Sequence, residues 1–185
     1  MPRIIAGEFG GKRLKYPESR RFRPTMDKVK EALFSIIGED ILDARVLDLF
    51  AAAGGLGLEA ISRGARQAVF VEQDIQAYKM LQENIKSLGI TDRCLAVRQN
   101  VRTYLKQSKF FATHIFCDPP YQSNMQAETL ALLATNPGLE HNTLIILEHD
   151  TGRKITLPDT LKAVDSRSYG ETTLLFVTKE DLDED

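Results

Sequence analysis

A chain of 185 residues that is 43% hydrophobic can bury one sizeable core and is too short for two ordinary domains. Its two cysteines, Cys94 and Cys117, stand far apart in apolar runs without CxxC or Cys/His spacing, which argues against a zinc site or a disulfide framework and for reduced core thiols. The formal net charge of -2 hides an uneven distribution: residues 1–30 hold nine Lys/Arg and three Asp/Glu, a net of +6, leaving -8 for the remainder.

The N-terminus, MPRIIAGEFGGKRLKY, carries charges where a secretory leader needs an apolar run, and no window reaches membrane-spanning length, so a cytoplasmic protein is expected. Glycines and prolines punctuate residues 7–24, which predicts a hairpin or irregular arm. The arm and the segment after it carry Arg3, Lys12, Arg13, Lys15, Arg20, Arg21, Arg23, Lys28 and Lys30, interleaved with Phe9, Tyr16 and Phe22. That mixture suits a phosphate backbone with exposed bases, although composition alone leaves a solvated positive surface equally open. In DKVKEALFSII (27–37) the apolar positions Val29, Ala32, Leu33, Ile36 and Ile37 follow helical spacing, with Thr25 or Asp27 as the expected cap and Gly38 as the stop.

From Arg45 onward short apolar runs alternate with helical patterns, the signature of a parallel sheet with crossover helices. Strands are predicted at 46–50, 68–72, 94–99, 114–118 and 143–149, and helices at 56–63, 74–88, 101–108 and 124–134. The segments LKAVDSRSY and TTLLFVTK flank Gly170-Glu171 and read as a closing antiparallel pair. Residues 180–185 form an acidic tail. The chain thus divides into an arm (1–24), an α/β domain (25–179) and that tail.

Two motifs carry chemistry. In Asp48-Leu49-Phe50-Ala51-Ala52-Ala53-Gly54-Gly55-Leu56-Gly57, a glycine turn joins the first strand to a helix, where an open parallel sheet places its ligand. Gly54 and Gly57 take the second and third places of GxGxxG, and Ala52 stands where the first glycine would be. The second strand ends at Glu72, where a carboxylate can accept both hydroxyls of a ribose. This pair fits a nicotinamide dinucleotide or S-adenosylmethionine. The latter is favoured because Asp48 suits an ammonium or sulfonium better than a pyrophosphate, and because Asn100 can meet an adenine edge while capping the next helix.

The second motif, Asp118-Pro119-Pro120-Tyr121, closes the fourth strand beside that turn. A nucleobase amine is a poor nucleophile because its lone pair is delocalised into the ring. The Asp118 carboxylate and the Pro119 carbonyl can each accept one amine hydrogen and so localise the pair, the prolines fix both acceptors, and Tyr121 offers a face for a flipped base. His114, His141 and His149 lack metal-ligand spacing, and no metal site is expected.

These stretches resemble the bacterial 16S rRNA guanine methyltransferases of the RsmD type over nearly the whole length. The matching segments are RIIAGEFGGKRL (3–14), RPTMDKVKEALFSII (23–37), LDLFAAAGGLGLEAISRGA (47–65), FVEQD (70–74), DPPY (118–121) and YGETTLLF (169–176). The resemblance implies a Rossmann-like class I methyltransferase, a seven-stranded, mostly parallel sheet with an antiparallel last hairpin, and an N-terminal hairpin that helps hold RNA through Arg3, Lys12 and Arg13. It implies methyl transfer at Asp118, Pro119, Pro120 and Tyr121, and a cofactor site of Asp48, Phe50, Ala51, Gly54, Gly57, Glu72 and Asn100. Arg23 and Thr25 then shape the substrate entrance. The implied cofactor is S-adenosyl-L-methionine and the implied partner is 16S rRNA within an assembled small ribosomal subunit, met by a monomer. Where the family usually shows FAGSGALGLE this chain has FAAAGGLGLE, and a left-handed Ala52 is expected to cost about 1 kcal/mol and to crowd the cofactor. Amine methylation of adenine or cytosine in DNA follows the same acceptor logic, and an assembly factor that has lost cofactor affinity is the non-catalytic alternative.

Overall fold

The computed structural model describes residues 2–18, 25–120 and 125–180. Strands β1 (Arg45–Leu49), β2 (Gln67–Glu72), β3 (Cys94–Arg98), β4 (His114–Cys117) and β5 (Leu144–Asp150) run parallel, as their continuous apolar character requires of strands covered on both faces. The hairpin β6 (Leu161–Tyr169) and β7 (Thr172–Lys179) turns at Gly170, whose φ of 65° a glycine adopts freely, and β7 pairs antiparallel with β5. The sheet order is β3-β2-β1-β4-β5-β7-β6. The chain therefore moves outward from β1 in one direction, then returns to the other side of β1 with β4, which makes the β1/β4 boundary the topological switch point.

Helices α1 (Asp27–Ile37), α2 (Gly55–Ser62), α3 (Ile75–Leu88), α4 (Val101–Gln107) and α5 (Met125–Thr135) cover the sheet. Alternation along the strands sorts their side chains into two cores. Val46, Phe70, Phe116 and Ile146 pack with α1, α2 and α3, while Leu47, Leu49, Ile115, Cys117 and Leu147 pack with α4 and α5. Phe34 of α1 meets Phe116 edge to face at 5.6 Å between ring centroids. None of the described helices is long and apolar enough to cross a membrane.

The arm forms a hairpin, with an antiparallel bridge between Arg3 and Arg13 and turns at Gly7 and Gly11. Its Ile4 and Leu14 are buried in the first core. Each such side chain contributes about 1.5–3 kcal/mol of burial, so the arm is docked on the body. Helix α2 fastens it: the Glu59 carboxylate accepts from Ile5 N at 2.7 Å and Ala6 N at 3.1 Å, and Ser62 Oγ accepts from Phe9 N at 2.9 Å. A Cβ on Gly7 would lie 1.9 Å from the Ser62 carbonyl oxygen, so only glycine permits this approach.

Helix α1 spans the predicted residues and ends at Gly38, but neither Thr25 nor Asp27 caps it. Met26 occupies the cap position without a side-chain hydrogen bond. The two candidates are engaged elsewhere: Thr25 Oγ1 donates to Glu148 Oε2 at 3.2 Å, and Asp27 Oδ2 accepts from Arg3 Nε at 3.0 Å. Strands β1, β3 and β4 each stop one residue short of expectation. At β1 the cause is Phe50, whose φ of 62° leaves the extended region. Cys117 is buried as expected, while Cys94 is only half-buried.

Candidate active site at the carboxyl ends of the strands

The turn after β1 is built from left-handed backbone. Phe50 (φ 62°), Ala52 (φ 47°) and Gly54 (φ 89°) all have positive φ, so the expectation of a left-handed Ala52 holds and a second non-glycine residue shares the strain. The turn is held because its amides are used: Ala51 N donates to the Val71 carbonyl, Gly54 N to the Ala51 carbonyl, and Ala52 N to Glu72 Oε2 at 2.8 Å. Helix α2 has no side-chain cap of its own at Gly54. Asp48, reaching from β1, accepts from Gly57 N at 2.8 Å and does that work. Gly57 is required by space, since a Cβ there would lie 2.3 Å from Phe70 Cε1.

Strand alternation places four carboxylates on one face. Phe70, Phe116 and Ile146 point into the first core, and Glu72, Asp118 and Glu148 each lie two residues further along; Asp48 shares the face with Val46. Burial raises the pKa of Asp48 to about 7, with Glu72 adding to the rise and the Gly57 N–H opposing it. Glu72 is also raised by burial, against the pull of the backbone amides of Asp74 and Ala52. Asp118 is half-buried and lies well above the usual carboxylate range, through desolvation first and then the charges of Glu148 and Asp48.

Asp48, Phe50, Ala51, Ala52, Gly55, Leu56 and Asp118 line a cleft with Pro2 and Tyr16 of the arm and with Thr25 and Lys30 at the start of α1. The N-terminal segment, the glycine turn and Asp118 thus share one cleft. Lys30 sits in a buried pair with Glu59, 3.5 Å away. Arg3, Lys12 and Arg13 are exposed on the arm. Asn100 caps α4 by accepting from Arg102 N at 2.9 Å, and its amide nitrogen donates to Gln73 Oε1 at 2.8 Å. The Asn100 side chain is therefore held by β2's neighbour as well as by its own helix. Pro119 is buried beside Asp118 and Pro120 is exposed. Tyr121 and Arg23 lie outside the described residues.

A family model described as "Conserved hypothetical protein 95" matches residues 2–178. The chain belongs to this family. It is 36% identical to the Bacillus subtilis (strain 168) protein named "Putative rRNA methyltransferase YlbH", over 96% of this chain and 98% of that one. It is 37% identical to "Ribosomal RNA small subunit methyltransferase D" of Escherichia coli (strain K12), over 80% of this chain and 74% of that one. Among solved structures, "Putative methyltransferase yhhF from Escherichia coli" superposes with a TM-score of 0.88 at 31% identity, covering 97% of this chain and 98% of that one. The Rossmann-like methyltransferase fold implied by the resemblance is the fold of this family member, with the α/β order and reversed last hairpin as expected.

Sequence reasoning missed three residues of the cleft's surroundings: Tyr16, Lys30 and Glu148. Tyr16 and Lys30 were read as parts of a basic arm and helix, and only packing reveals that they turn inward. Glu148 left a signal. It is an acid near the carboxyl end of an apolar strand, as Glu72 and Asp118 are, and the same alternation that placed those two places it.

Proposed function

We propose that this family member transfers a methyl group from S-adenosylmethionine to the exocyclic amine of a guanine in 16S rRNA, presented by an assembled small ribosomal subunit and met by a monomer. The observation that carries the reading is that Asp118 faces the same cleft as the glycine turn, Thr25 and the arm. The donor set fits the cofactor: Asp48 and Glu72 form an acidic face, which favours a ligand bearing sulfonium and ammonium charge. The backbone of Phe50, Ala51, Gly54 and Gly57 would flank it, Glu72 would accept ribose hydroxyls and Asn100 would meet the adenine. Bound there, the cofactor supplies an electrophilic methyl group.

The chain's own residues supply the rest. The Asp118 carboxylate and Pro119 carbonyl accept the two amine hydrogens, which localises the nitrogen lone pair and aims it. The raised proton affinity of Asp118 makes it a competent acceptor for the proton the amine sheds as its acidity rises. Pro119 and Pro120 hold both acceptors without backbone donors that could compete. Tyr121 stacks on the extruded base. Arg3, Lys12, Arg13 and Arg23 contact phosphates, and Thr25 borders the entrance. The relatives named as rRNA methyltransferases support RNA over DNA as the substrate.

The test is methyl transfer to small subunits purified from a strain lacking the gene. Wild-type protein is expected to label 16S rRNA at a guanine amine, and Asp118→Ala to abolish labelling while still binding S-adenosylmethionine. Equal incorporation by the two proteins, or none by wild type, overturns the assignment.

A further inference from the structure

The register of β4 against β5 has a chemical result. The pairing runs His114↔Leu144 to Cys117↔Leu147; Asp118 and Glu148 are the residues that follow it, and the charge of Glu148 acts on Asp118. The two acids differ in access. Asp118 lines the cleft and is half-buried, whereas Glu148 is 7% exposed and does not line it. Glu148 is also gripped, since Thr25 Oγ1 donates to its Oε2 at 3.2 Å. On the β7 side its register partner is the apolar Leu174.

We propose that Glu148 is a positioning residue for the methyl transfer: an acidic neighbour behind Asp118, held in place by the Thr25 hydroxyl. The inference rests on Asp118 being the acceptor in the reaction proposed above. As the amine lone pair forms the new N–C bond, the bond it displaces leaves its electron pair on sulfur. The amine N–H proton passes to Asp118, its bonding pair stays on nitrogen, and the carboxylate becomes a neutral acid. Beside an ionised Glu148, that neutralisation relieves like-charge repulsion within a poorly solvated pair, which favours proton arrival at Asp118 over its loss to a weaker base. Among the described residues, the other charged or titratable groups facing the pair are Asp48 of β1, Glu72 of β2, Tyr16 of the arm and Lys30 of α1. Asp48, on the adjacent strand β1 and registered with Phe116 two residues before Asp118, adds repulsion of the same sign. Thr25 joins the device to the N-terminal segment, so a shift of that segment would reach the acceptor through one hydrogen bond.

Two substitutions with opposite expected signs separate this role from simple packing. Glu148→Gln keeps shape and removes charge; Thr25→Val keeps shape and removes the donor that stabilises the ionised Glu148. The first readout needs neither cofactor nor RNA: the Asp118 carboxyl carbon is followed by NMR against pH in ¹³C-aspartate-labelled protein. Relative to wild type, its titration is expected to move to lower pH in Glu148→Gln, and the titration of the Asp118–Glu148 pair to move to higher pH in Thr25→Val. The second readout is the pH profile of kcat on small subunits. Its acidic limb is expected to move in the same two directions, and Glu148→Gln to lose on the order of tenfold in plateau rate, a fraction of what a positioned base supplies. An Asp118 titration that is identical in wild type and Glu148→Gln overturns the inference. If Glu148→Gln does not fold, Thr25→Val decides alone, and an unmoved titration overturns the inference there too. An inactive wild type with the expected NMR shifts would instead sink the proposed function and leave the coupling of the two acids standing.

Discussion

Glu59 is the bolt between arm and body, and removing it has a cost that can be worked from the contacts. Its side chain is fully buried, and it accepts from Ile5 N (2.7 Å), Ala6 N (3.1 Å) and Arg63 Nε (2.7 Å), with Lys30 Nζ 3.5 Å away. Glu59→Ala strips the counter-charge from Lys30, whose side chain is 3% exposed, whose pKa is already lowered by desolvation and held up by Glu59, and whose ammonium would keep its donation to the Arg3 carbonyl only while the arm stays docked. Removing one partner of a buried pair costs about 3–5 kcal/mol. Two arm amides lose their acceptor as well, at about 1–3 kcal/mol each if they stay buried. The arm limits the sum by lifting away, because the burial of Ile4 and Leu14 that holds it is itself worth only about 3–6 kcal/mol together. The expected loss is about 3–5 kcal/mol in urea unfolding followed by circular dichroism, or roughly 6–20 °C in melting temperature for a domain of this size. Limited proteolysis should cut the variant within the arm before the body. The double variant Glu59→Gln/Lys30→Met, which removes both charges and keeps one of the two acceptor oxygens, should recover part of the loss. A loss under about 1 kcal/mol with the arm still protected would refute this account of how the arm is held.

Three further outcomes follow from the turn and the acidic face. Ala52→Gly should leave the melting temperature within a few degrees, because relief of roughly 1 kcal/mol at φ 47° is offset by about 0.4–1 kcal/mol of unfolded-state entropy, while calorimetry should give severalfold tighter S-adenosylmethionine binding; an unchanged Kd would show that the methyl does not crowd the cofactor. The cofactor-free protein should lose stability between about pH 4 and about pH 7. Asp48 keeps its proton to about 7 in the folded state and only to its ordinary carboxylate value when unfolded, so the folded state binds more protons across that window and rising pH favours unfolding. Asp48→Asn should flatten that slope in melts at pH 5, 6 and 7.5, and a wild-type slope of opposite sign across the window would count against a buried, protonatable Asp48. Gly57→Ala should cost about 1–3 kcal/mol and weaken cofactor binding, since its Cβ would meet Phe70 Cε1 at 2.3 Å; a variant of wild-type stability would mean that the Phe70 ring gives way freely.

Periodicity made the helices and strands legible because each has an unambiguous apolar rhythm: α1 and the β6–β7 pair fall on the predicted residues, and the strands differ by about one position at their ends. Asp48, Glu72 and Asp118 were legible for the same reason, since an acid closing an apolar strand is visible in one dimension. The cap of α1 was not. Thr25 and Asp27 have cap chemistry, but their partners Glu148 and Arg3 are 123 and 24 residues away, and no local pattern announces such contacts. Tyr16 was hidden differently: exposed-looking composition surrounds it, while the buried Leu14 and the bonds of Asn84 to the Lys15 backbone turn its ring towards the cleft.

Residues 2–18 of the arm, seated on a buried carboxylate and two core side chains, would on the proposed reading meet RNA already ordered. Association with RNA should then carry little penalty for immobilising peptide, in contrast to basic tails that fold only on contact. Calorimetry over a range of temperatures would read this as a heat-capacity change proportional to the contact area alone, without the larger excess that accompanies coupled folding. Encounter would resemble two rigid surfaces docking, with a rate governed by electrostatic steering and therefore by ionic strength.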